Sequence, residues 1–370
     1  MDLQELRNEI DSLDREILTA FEKRMQLCRG VAKYKTQNNL PVFQSGREKE
    51  IIEKVTKNSP EDLKAGAAAL FTEIMDISKS LQQQYIFGNK SFMESKPFTI
   101  DPNAAVGCQG ISGSNSEAAA RKLFKDNEIT FYHEFEDVFS AVENEEIQYG
   151  ILPIHNSTAG SVTQTYDLMR KHDVYIAKTI KFEITHCISA KKGTKSEDIK
   201  TVYSHPQALA QCSAFLRRNG YQTVQYENTA TAAKLASEKD GIAAVCSEEC
   251  AALYNLEIIK KGIANTIPNF TRFICITKDL CVPEDAGTIA VTLEIPNSEG
   301  SLYRILTKFF VNGMNLEKIE SRPVADGSFD VMFYLDFEGN ISDTKTSALL
   351  DELKNQLDYF KFLGNYSEII

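Results

Sequence analysis

Residues 3–37 read LQELRNEIDSLDREILTAFEKRMQLCRGVAKYKTQ. Leu3, Leu6, Ile10, Leu13, Ile17, Leu18, Phe21, Met25, Leu27 and Val31 recur at spacings near three and four, the pattern of an amphipathic helix. No proline breaks the run, and its first glycine is Gly30. One long helix over about 3–37 is therefore expected, ended by Asn38, Asn39 and Pro41. Such a helix is about 50 Å long at 1.5 Å per residue. It cannot bury its apolar stripe inside a monomeric segment of about 90 residues, so a dimer that shares helices between subunits is expected. A second helix is expected from near Ser45 to before Pro60, and a third over about 61–87. Residues 1–90 are thus read as an all-α domain.

The pattern then changes. Residues 91–103 read as a linker. Over 104–280, short β-rich runs (GILPI, VYIAKTI, HCISA, TVYSHP, IAAVCS, RFICIT) alternate with helical stretches near 115–125, 162–171, 207–219 and 229–238, as in an α/β domain. Residues 286–370 follow the order βαββαβ, a ferredoxin-like α+β unit. The expected architecture is a multidomain chain: all-α, then α/β, then α+β.

Composition narrows the function classes. The chain of 370 residues is 42% hydrophobic and 25% charged, ordinary for a globular protein. Its formal net charge of −11 argues against general nucleic-acid affinity. A small anionic substrate fits if basic residues are concentrated locally. No apolar run approaches the roughly 20 residues of a membrane span. The charged, periodic N-terminus is unlike a secretory signal, so a cytoplasmic setting is expected. Cys246 and Cys250 form C-x3-C without a second pair at zinc spacing, so no metal site is expected.

Basic residues on the first helix have suggestive geometry. Arg24 and Lys35 are 11 residues apart, close to three turns, so they share a face at about 16 Å. Two long side chains can close on one small anion between them. Arg7 lies about 25 Å from Arg24 and is rotated by about 100°. It cannot reach that anion in its own chain, but in a dimer it can reach the partner's site. Gln44, Arg47 and Glu48 open the second helix, and Ser78 and Gln82 lie one turn apart on the third.

LRNEIDSLDREIL, Lys35 and the following LPVFQSGREKE resemble the AroQ-type chorismate mutase domain across nearly all of residues 1–90. The resemblance implies that Arg24 and the partner subunit's Arg7 bind the two carboxylates of chorismate. Lys35 and Gln82 would face the ether oxygen. Glu48 would hold the ring hydroxyl, with Arg47 and Ser78 lining the site. Gln44 stands where this branch often has aspartate, a change expected to touch hydroxyl binding modestly. The residue types suit the chemistry. A pericyclic rearrangement needs no nucleophile and no proton transfer, only a held conformer and stabilised charge on the breaking ether oxygen.

Four polar clusters mark the α/β region. VGCQGISGSNSEAA (106–119) places Ser114 and Ser116 before a helix, where backbone N–H groups can receive a carboxylate. LPIHNSTAGSV (152–162) holds His155, Asn156 and Ser157. YSHPQALAQC (203–212) puts Ser204, His205 and Gln207 at a strand-to-helix turn, and PNFTRF (268–273) puts Thr271 and Arg272 at a strand start. Strand ends and helix starts are where α/β ligand sites lie. Together with NTA at 228–230, these clusters resemble the prephenate dehydratase domain, including its arogenate-using relatives. The resemblance implies two lobes with a cleft between them. Thr271 would assist departure of the ring hydroxyl as acid or positioning donor. Asn156, Ser204 and Gln207 would orient the substrate, and Arg272 would pair with a carboxylate.

Two positions depart from that family. Asn115 stands where an aromatic residue commonly precedes the serine. His155 replaces the usual glutamate of PIEN, a residue that lines the cleft. Three readings of His155 stand: a working substitute that donates to the substrate and, when charged, balances a dianion; a tolerated change at a supporting position; or the mark of a weakened dehydratase.

EGSLYRILTKFFVNGMNLEKIESRP (299–323) resembles the phenylalanine-binding motifs of the ACT regulatory domain, in Gly300-Ser301-Leu302 and in Glu320-Ser321-Arg322-Pro323. Gly300 allows close backbone approach at a helix start suited to an amino-acid carboxylate. The three resemblances in this order match the bifunctional chorismate mutase/prephenate dehydratase family. They imply conversion of chorismate to prephenate and then to phenylpyruvate, inhibited by phenylalanine. No metal or organic cofactor is expected, and the expected assembly is a homodimer or larger. The alternatives are a fused arogenate dehydratase, or a mutase with a phenylalanine-sensing module and an inactive dehydratase cleft.

Overall fold

The computed structural model describes residues 2–38, 40, 42, 45–88, 90–323 and 331–370. By contact density the chain divides into two compact units. One comprises residues 1–94 with 287–362, and the other 95–286 with 363–370. No helix among the described residues is long and apolar enough to cross a membrane.

In the first unit, α1 spans Leu3–Gln37, α2 Ser45–Asn58 and α3 Lys64–Phe87, close to the limits that the periodicity predicts. Asp2 and Glu5 cap the start of α1 reciprocally: Glu5 N donates to Asp2 Oδ1 and Asp2 N to Glu5 Oε2, each at 2.8 Å. At its end the Asn38 side-chain amide donates to Tyr34 O at 2.8 Å; the expected stops at Asn39 and Pro41 lie outside the described residues. Only Met25, Ala32 and Lys35 of α1 are buried. Leu3, Leu6, Ile10, Leu13, Ile17 and Leu18 are between 42% and 64% exposed, so this chain leaves the stripe uncovered.

The rest of this unit runs strand Thr288–Ile295, helix Ser301–Val311, strands Leu316–Pro323 and Val331–Glu338, helix Thr344–Gln356 and the start of strand Phe360–Ile369. Val331–Glu338 lies antiparallel between Thr288–Ile295 and Leu316–Pro323. Both helices pack on α3, largely through polar groups. Lys308 pairs with Glu352 with both side chains almost wholly buried, Ser80 Oγ donates to Glu352 Oε2 at 3.2 Å, and Gln84 Nε2 donates to Asn312 Oδ1 at 2.7 Å.

The second unit holds two sheets. One has the order Leu256–Lys261, Cys187–Lys191, Ile242–Cys246, Thr201–Ser204, Gln222–Gln225. The other runs Tyr175–Glu183, Phe270–Thr277, Tyr149–Asn156, Val106–Gln109, Ile129–Tyr132, with residues 364–369 of the last strand parallel to Tyr175–Glu183. Apolar side chains fill both: Phe124, Ile151 and Phe273 in one core, Ile188, Val202 and Leu216 in another.

Sequence and structure differ in places. The helix expected over 207–219 is two, Pro206–Gln211 and Ser213–Arg218. Asn265 takes up the chain there: its N–H donates to Gln211 O at 2.6 Å, its side-chain amide to Ala210 O at 3.0 Å, and its Oδ1 accepts from Ala214 N at 3.0 Å. That partner lies far away in sequence, so local pattern carries no sign of the break. Helix Phe135–Glu143 was not anticipated; its buried Val138-Phe139 and Ala141-Val142 make a near-continuous run that a strand would share.

Removing one member of a buried ion pair leaves the other uncompensated, at a cost of about 3–5 kcal/mol. Lys308→Met should lower stability by roughly that amount in denaturant unfolding, and Lys308→Met combined with Glu352→Leu should recover most of it.

Candidate active sites

A cavity of about 500 Å³ opens beside α1, α2 and α3. Arg24 and Lys35 line it from α1, Arg47 and Glu48 from α2, and Ser78 and Gln82 from α3, joined by Cys28, Met75 and Lys79. Six residues picked from sequence thus share one cavity. Arg24 donates to Ile74 O at 3.4 Å, and Lys35 Nζ to Val42 O at 2.7 Å. Burial lowers the Lys35 pKa, against the smaller opposing effects of Cys28 and Glu48. The Gln82 amide donates to Ser78 O at 3.1 Å and Ser78 Oγ at 3.0 Å, and its Oε1 is buried without a partner.

Arg7 is exposed and does not line this cavity, as its separation from Arg24 requires. Gln44 lies outside the described residues. Lys79 was missed: its ammonium sits 3.1 and 3.2 Å from the Glu48 carboxylate oxygens and 2.7 Å from Asp76. The signal was present, because Asp76 and Lys79 form an acid–base pair one turn apart and Lys79 is one turn before Gln82.

A second cavity, of about 390 Å³, lies in the other unit. Gln109, Ser114, Ser116, Asn156 and Thr271 line it from one sheet and its helix, and His186, His205, Gln207, Gln211, Asn228 and Thr229 from the other. Asn156 is its hub. Its amide donates to Thr271 Oγ1 at 2.8 Å and to Asn269 Oδ1 at 2.9 Å, while its Oδ1 accepts from Thr158 N at 3.0 Å and Ala159 N at 2.9 Å. Thr271 Oγ1 is therefore an acceptor toward Asn156, which leaves its own proton to donate elsewhere.

Among the described residues that line this cavity, none is Arg, Lys, Asp or Glu. Burial lowers the pKa of both His186 and His205, with the Gln211 bond opposing it at His186, so both rings are neutral at pH 7. Positive potential comes instead from helix starts. The cavity is lined by the first residues of helices Asn115–Leu123 and Thr229–Glu238, by Gln207 and Ala208 near the start of helix Pro206–Gln211, and by the caps Ser114, His205 and Asn228. The partial positive charge of a helix start attracts an anion without a formal charge, although at Pro206–Gln211 the proline has no N–H and Gln207 N already donates to His205 Nδ1 at 3.3 Å.

The strand register separates residues that are neighbours in sequence. Thr271 pairs with Asn156, and Arg272 with His155. Adjacent residues of a strand point to opposite faces, so His155 and Arg272 face away from the side that carries Asn156 and Thr271. Neither lines the cavity, and Arg272 Nε meets Glu368 Oε1 at 2.5 Å. The expectations that His155 lines the cleft and that Arg272 grips a substrate carboxylate are corrected on that ground. Ser204 is wholly buried and donates to Val245 O at 2.7 Å, and Ser157 Oγ accepts from Phe270 N at 2.9 Å, so these two shape the walls from outside. Gln211 was missed; it donates to Thr158 Oγ1 at 2.7 Å, and its Oε1 lies 2.9 Å from His186 Nε2. It lies one turn after Gln207, a spacing visible in sequence.

The C-terminal candidates lie as follows. Gly300 caps helix Ser301–Val311 with φ 78°, a left-handed conformation that suits glycine. Ser301 Oγ lies 2.6 Å from Ser298 Oγ, and Leu302 is partly exposed. Glu320, Ser321, Arg322 and Pro323 end the strand Leu316–Pro323.

The model of the family chorismate mutase type II matches residues 6–83, and that of prephenate dehydratase matches 106–280. A bifunctional chorismate mutase/prephenate dehydratase of Aquifex aeolicus is 32% identical over 377 aligned positions, covering 100% of this chain and 99% of its own. The chain belongs to the bifunctional chorismate mutase/prephenate dehydratase family. It is an enzyme of two activities, an isomerase that makes prephenate from chorismate and a lyase that makes phenylpyruvate from prephenate. Arogenate dehydratase/prephenate dehydratase 1 of Arabidopsis thaliana is 35% identical over 284 positions, 72% of each chain. Among solved structures, a prephenate dehydratase from Arthrobacter aurescens in complex with L-Phe aligns with TM-score 0.66 and 27% identity, over 71% of this chain and 90% of that one.

Thr271→Val should lower dehydratase turnover on supplied prephenate by about 100-fold or more and leave the mutase rate unchanged. His155→Glu, off the cavity, should change the same assay by less than about twofold.

The Lys35 pKa lies below that of an ordinary lysine, so its charge is lost as pH rises through that lowered value. Mutase activity should fall on the alkaline side before an exposed lysine, of pKa about 10.4, would titrate. Lys35→Arg should shift that limb upward in the pH–rate profile.

Proposed function

We propose that the two cavities are the two active sites and that neither requires a metal or organic cofactor. In the mutase, Arg24 and the partner subunit's Arg7 hold the carboxylates of chorismate, and Glu48 holds the ring hydroxyl, with Arg47, Ser78 and Gln44 around them. Lys35 and Gln82 stabilise the charge that develops on the ether oxygen as one C–O bond breaks and a C–C bond forms. The Gln82 amide turns to present its N–H while Oε1 accepts from the Ser78 hydroxyl, which resolves the unpartnered oxygen.

In the dehydratase, helix starts at Ser114–Ser116, His205–Gln207 and Asn228–Thr229 hold the prephenate carboxylates. Asn156 fixes the Thr271 hydroxyl, which donates toward the departing ring hydroxyl. Carbon dioxide and water leave, the bond electrons from decarboxylation pass into the ring, and aromatisation drives the step. The observation that carries this reading is the Asn156–Thr271 bond inside a cavity ringed by helix starts.

Three further readings belong to the same proposal. The chain forms at least a homodimer through the exposed stripe of α1. Residues 1–90, 104–280 and 286–370 act as mutase, dehydratase and ACT-type regulatory domains, the last binding phenylalanine near Gly300–Leu302 and Glu320–Pro323. The strand–helix–strand–strand–helix–strand order and the L-Phe complex of the Arthrobacter relative support the regulatory reading. The setting is cytoplasmic, in keeping with eight free thiols.

One experiment tests the sites and the dimer together. Purified protein receives chorismate, prephenate or arogenate, with and without phenylalanine. Phenylpyruvate formed rapidly from prephenate and suppressed by phenylalanine supports the reading; preference for arogenate replaces the second substrate. Arg7→Ala and Arg24→Ala proteins should each lack mutase activity, but after exchange in an equal mixture about one quarter of sites should be intact. No recovery on mixing would remove the shared site.

A further inference from the structure

α3 carries two polar faces. Ser78, Lys79 and Gln82 line the mutase cavity. Glu73, Asp76, Ser80 and Gln84, at spacings of three and four, meet the C-terminal part of the chain. Tyr303 donates its hydroxyl to Glu73 Oε2 at 3.1 Å, and Gln84 bonds Asn312. Between them Arg304 enters. Its Nη2 lies 3.3 Å from Asp76 Oδ1 and 3.5 Å from Glu48 Oε2, and its Nε 3.4 Å from Asp76 Oδ2.

These groups make a closed set of two carboxylates and two cations. Lys79 bridges Asp76 and Glu48 from one side, and Arg304 bridges the same pair from the other. Asp76 is 3% exposed, so it needs its partners. Burial works to raise its pKa, but Lys79 and Arg304 outweigh that and hold it below the ordinary carboxylate range.

We propose that Arg304 is a positioning residue of the mutase in this chain, holding Glu48 in place together with the Asp76–Lys79 pair. The inference rests on the reading of the α1–α3 cavity as the mutase site. Without Arg304, one ammonium must serve two carboxylates. Lys79 stays with Asp76, the nearer at 2.7 Å and the more deeply buried, rather than with Glu48 at 3.1 Å. Glu48 is then free to turn, or remains as uncompensated negative charge beside a cavity that must accept a dianion. Either outcome weakens substrate binding more than it slows the bound substrate. Arg304 has no direct place in the chemistry, because its side chain reaches the substrate site only through Glu48.

The test uses the full chain, with mutase and dehydratase assayed separately on chorismate and on supplied prephenate. Arg304→Gln should raise the mutase KM about tenfold, with a smaller fall in kcat, and leave dehydratase activity within about twofold. Arg304→Lys, which keeps the charge without the planar fork, should fall between Arg304→Gln and the wild type. Unchanged mutase constants in folded Arg304→Gln would overturn the proposal. So would a loss of thermal stability with the KM unmoved, which marks a merely structural contact. If Arg304→Gln does not fold, Arg304→Lys decides alone: a raised KM at unchanged dehydratase activity supports the proposal, and a normal KM overturns it. Arg24→Ala is run beside them. Mutase activity surviving Arg24→Ala sinks the site reading, whereas its loss beside a normal Arg304→Gln sinks only this inference.

Discussion

Asp76 and Lys79 are buried side by side on α3, and charges so placed must be matched on every side. That demand shapes the first unit. The pair reaches Glu48 on α2 in one direction and Arg304 on helix Ser301–Val311 in the other. Farther along the same face, Ser80 meets Glu352, itself paired with buried Lys308. A polar interface of this kind is specific, because slipping it by one turn would strand several charges at once. The cost of that mismatch fixes which face of α3 remains for the cavity.

On the proposed reading, the two cavities would meet the same problem, a doubly charged substrate, by different means. One is lined by Arg24, Lys35, Arg47 and Lys79, with Glu48 held among them. Long cationic side chains suit it because the walls are helix flanks, where backbone donors are already used within the helix. The other uses no formal cation among its described lining residues and relies on three helix starts and amide side chains. There the walls are strand ends and helix beginnings, where backbone N–H groups are available. Among its described lining residues no carboxylate competes for the Thr271 proton.

Several residues were legible in the chain itself. Arg24 and Lys35 share a face because eleven residues are three helical turns, and the cavity joins them as that spacing requires. Asn156 and Thr271 stood out as polar groups at the ends of apolar strands. His155 and Arg272 misled for one reason: each is one residue from a true lining group, and a strand turns alternate residues to opposite faces. Which face meets the cavity depends on the pairing of Thr271 with Asn156, more than a hundred residues away in sequence. Gln211 and Lys79 each lie one turn from a lining residue, Gln207 and Gln82, so helical spacing alone points to them.

Periodicity, helix limits and the clustering of polar residues are local properties, so the amino-acid sequence determined the three helices of the first segment, the βαββαβ order of the last and the segments that carry both cavities. The break at Cys212, the orientation of His155, the hub at Asn156 and the entry of Arg304 beside Glu48 depend on groups distant in sequence. Only tertiary structure decided those. Hydrogen bonds and ion pairs between remote segments form when burial makes an unpaired polar group costly, and no local pattern records which partner will be at hand.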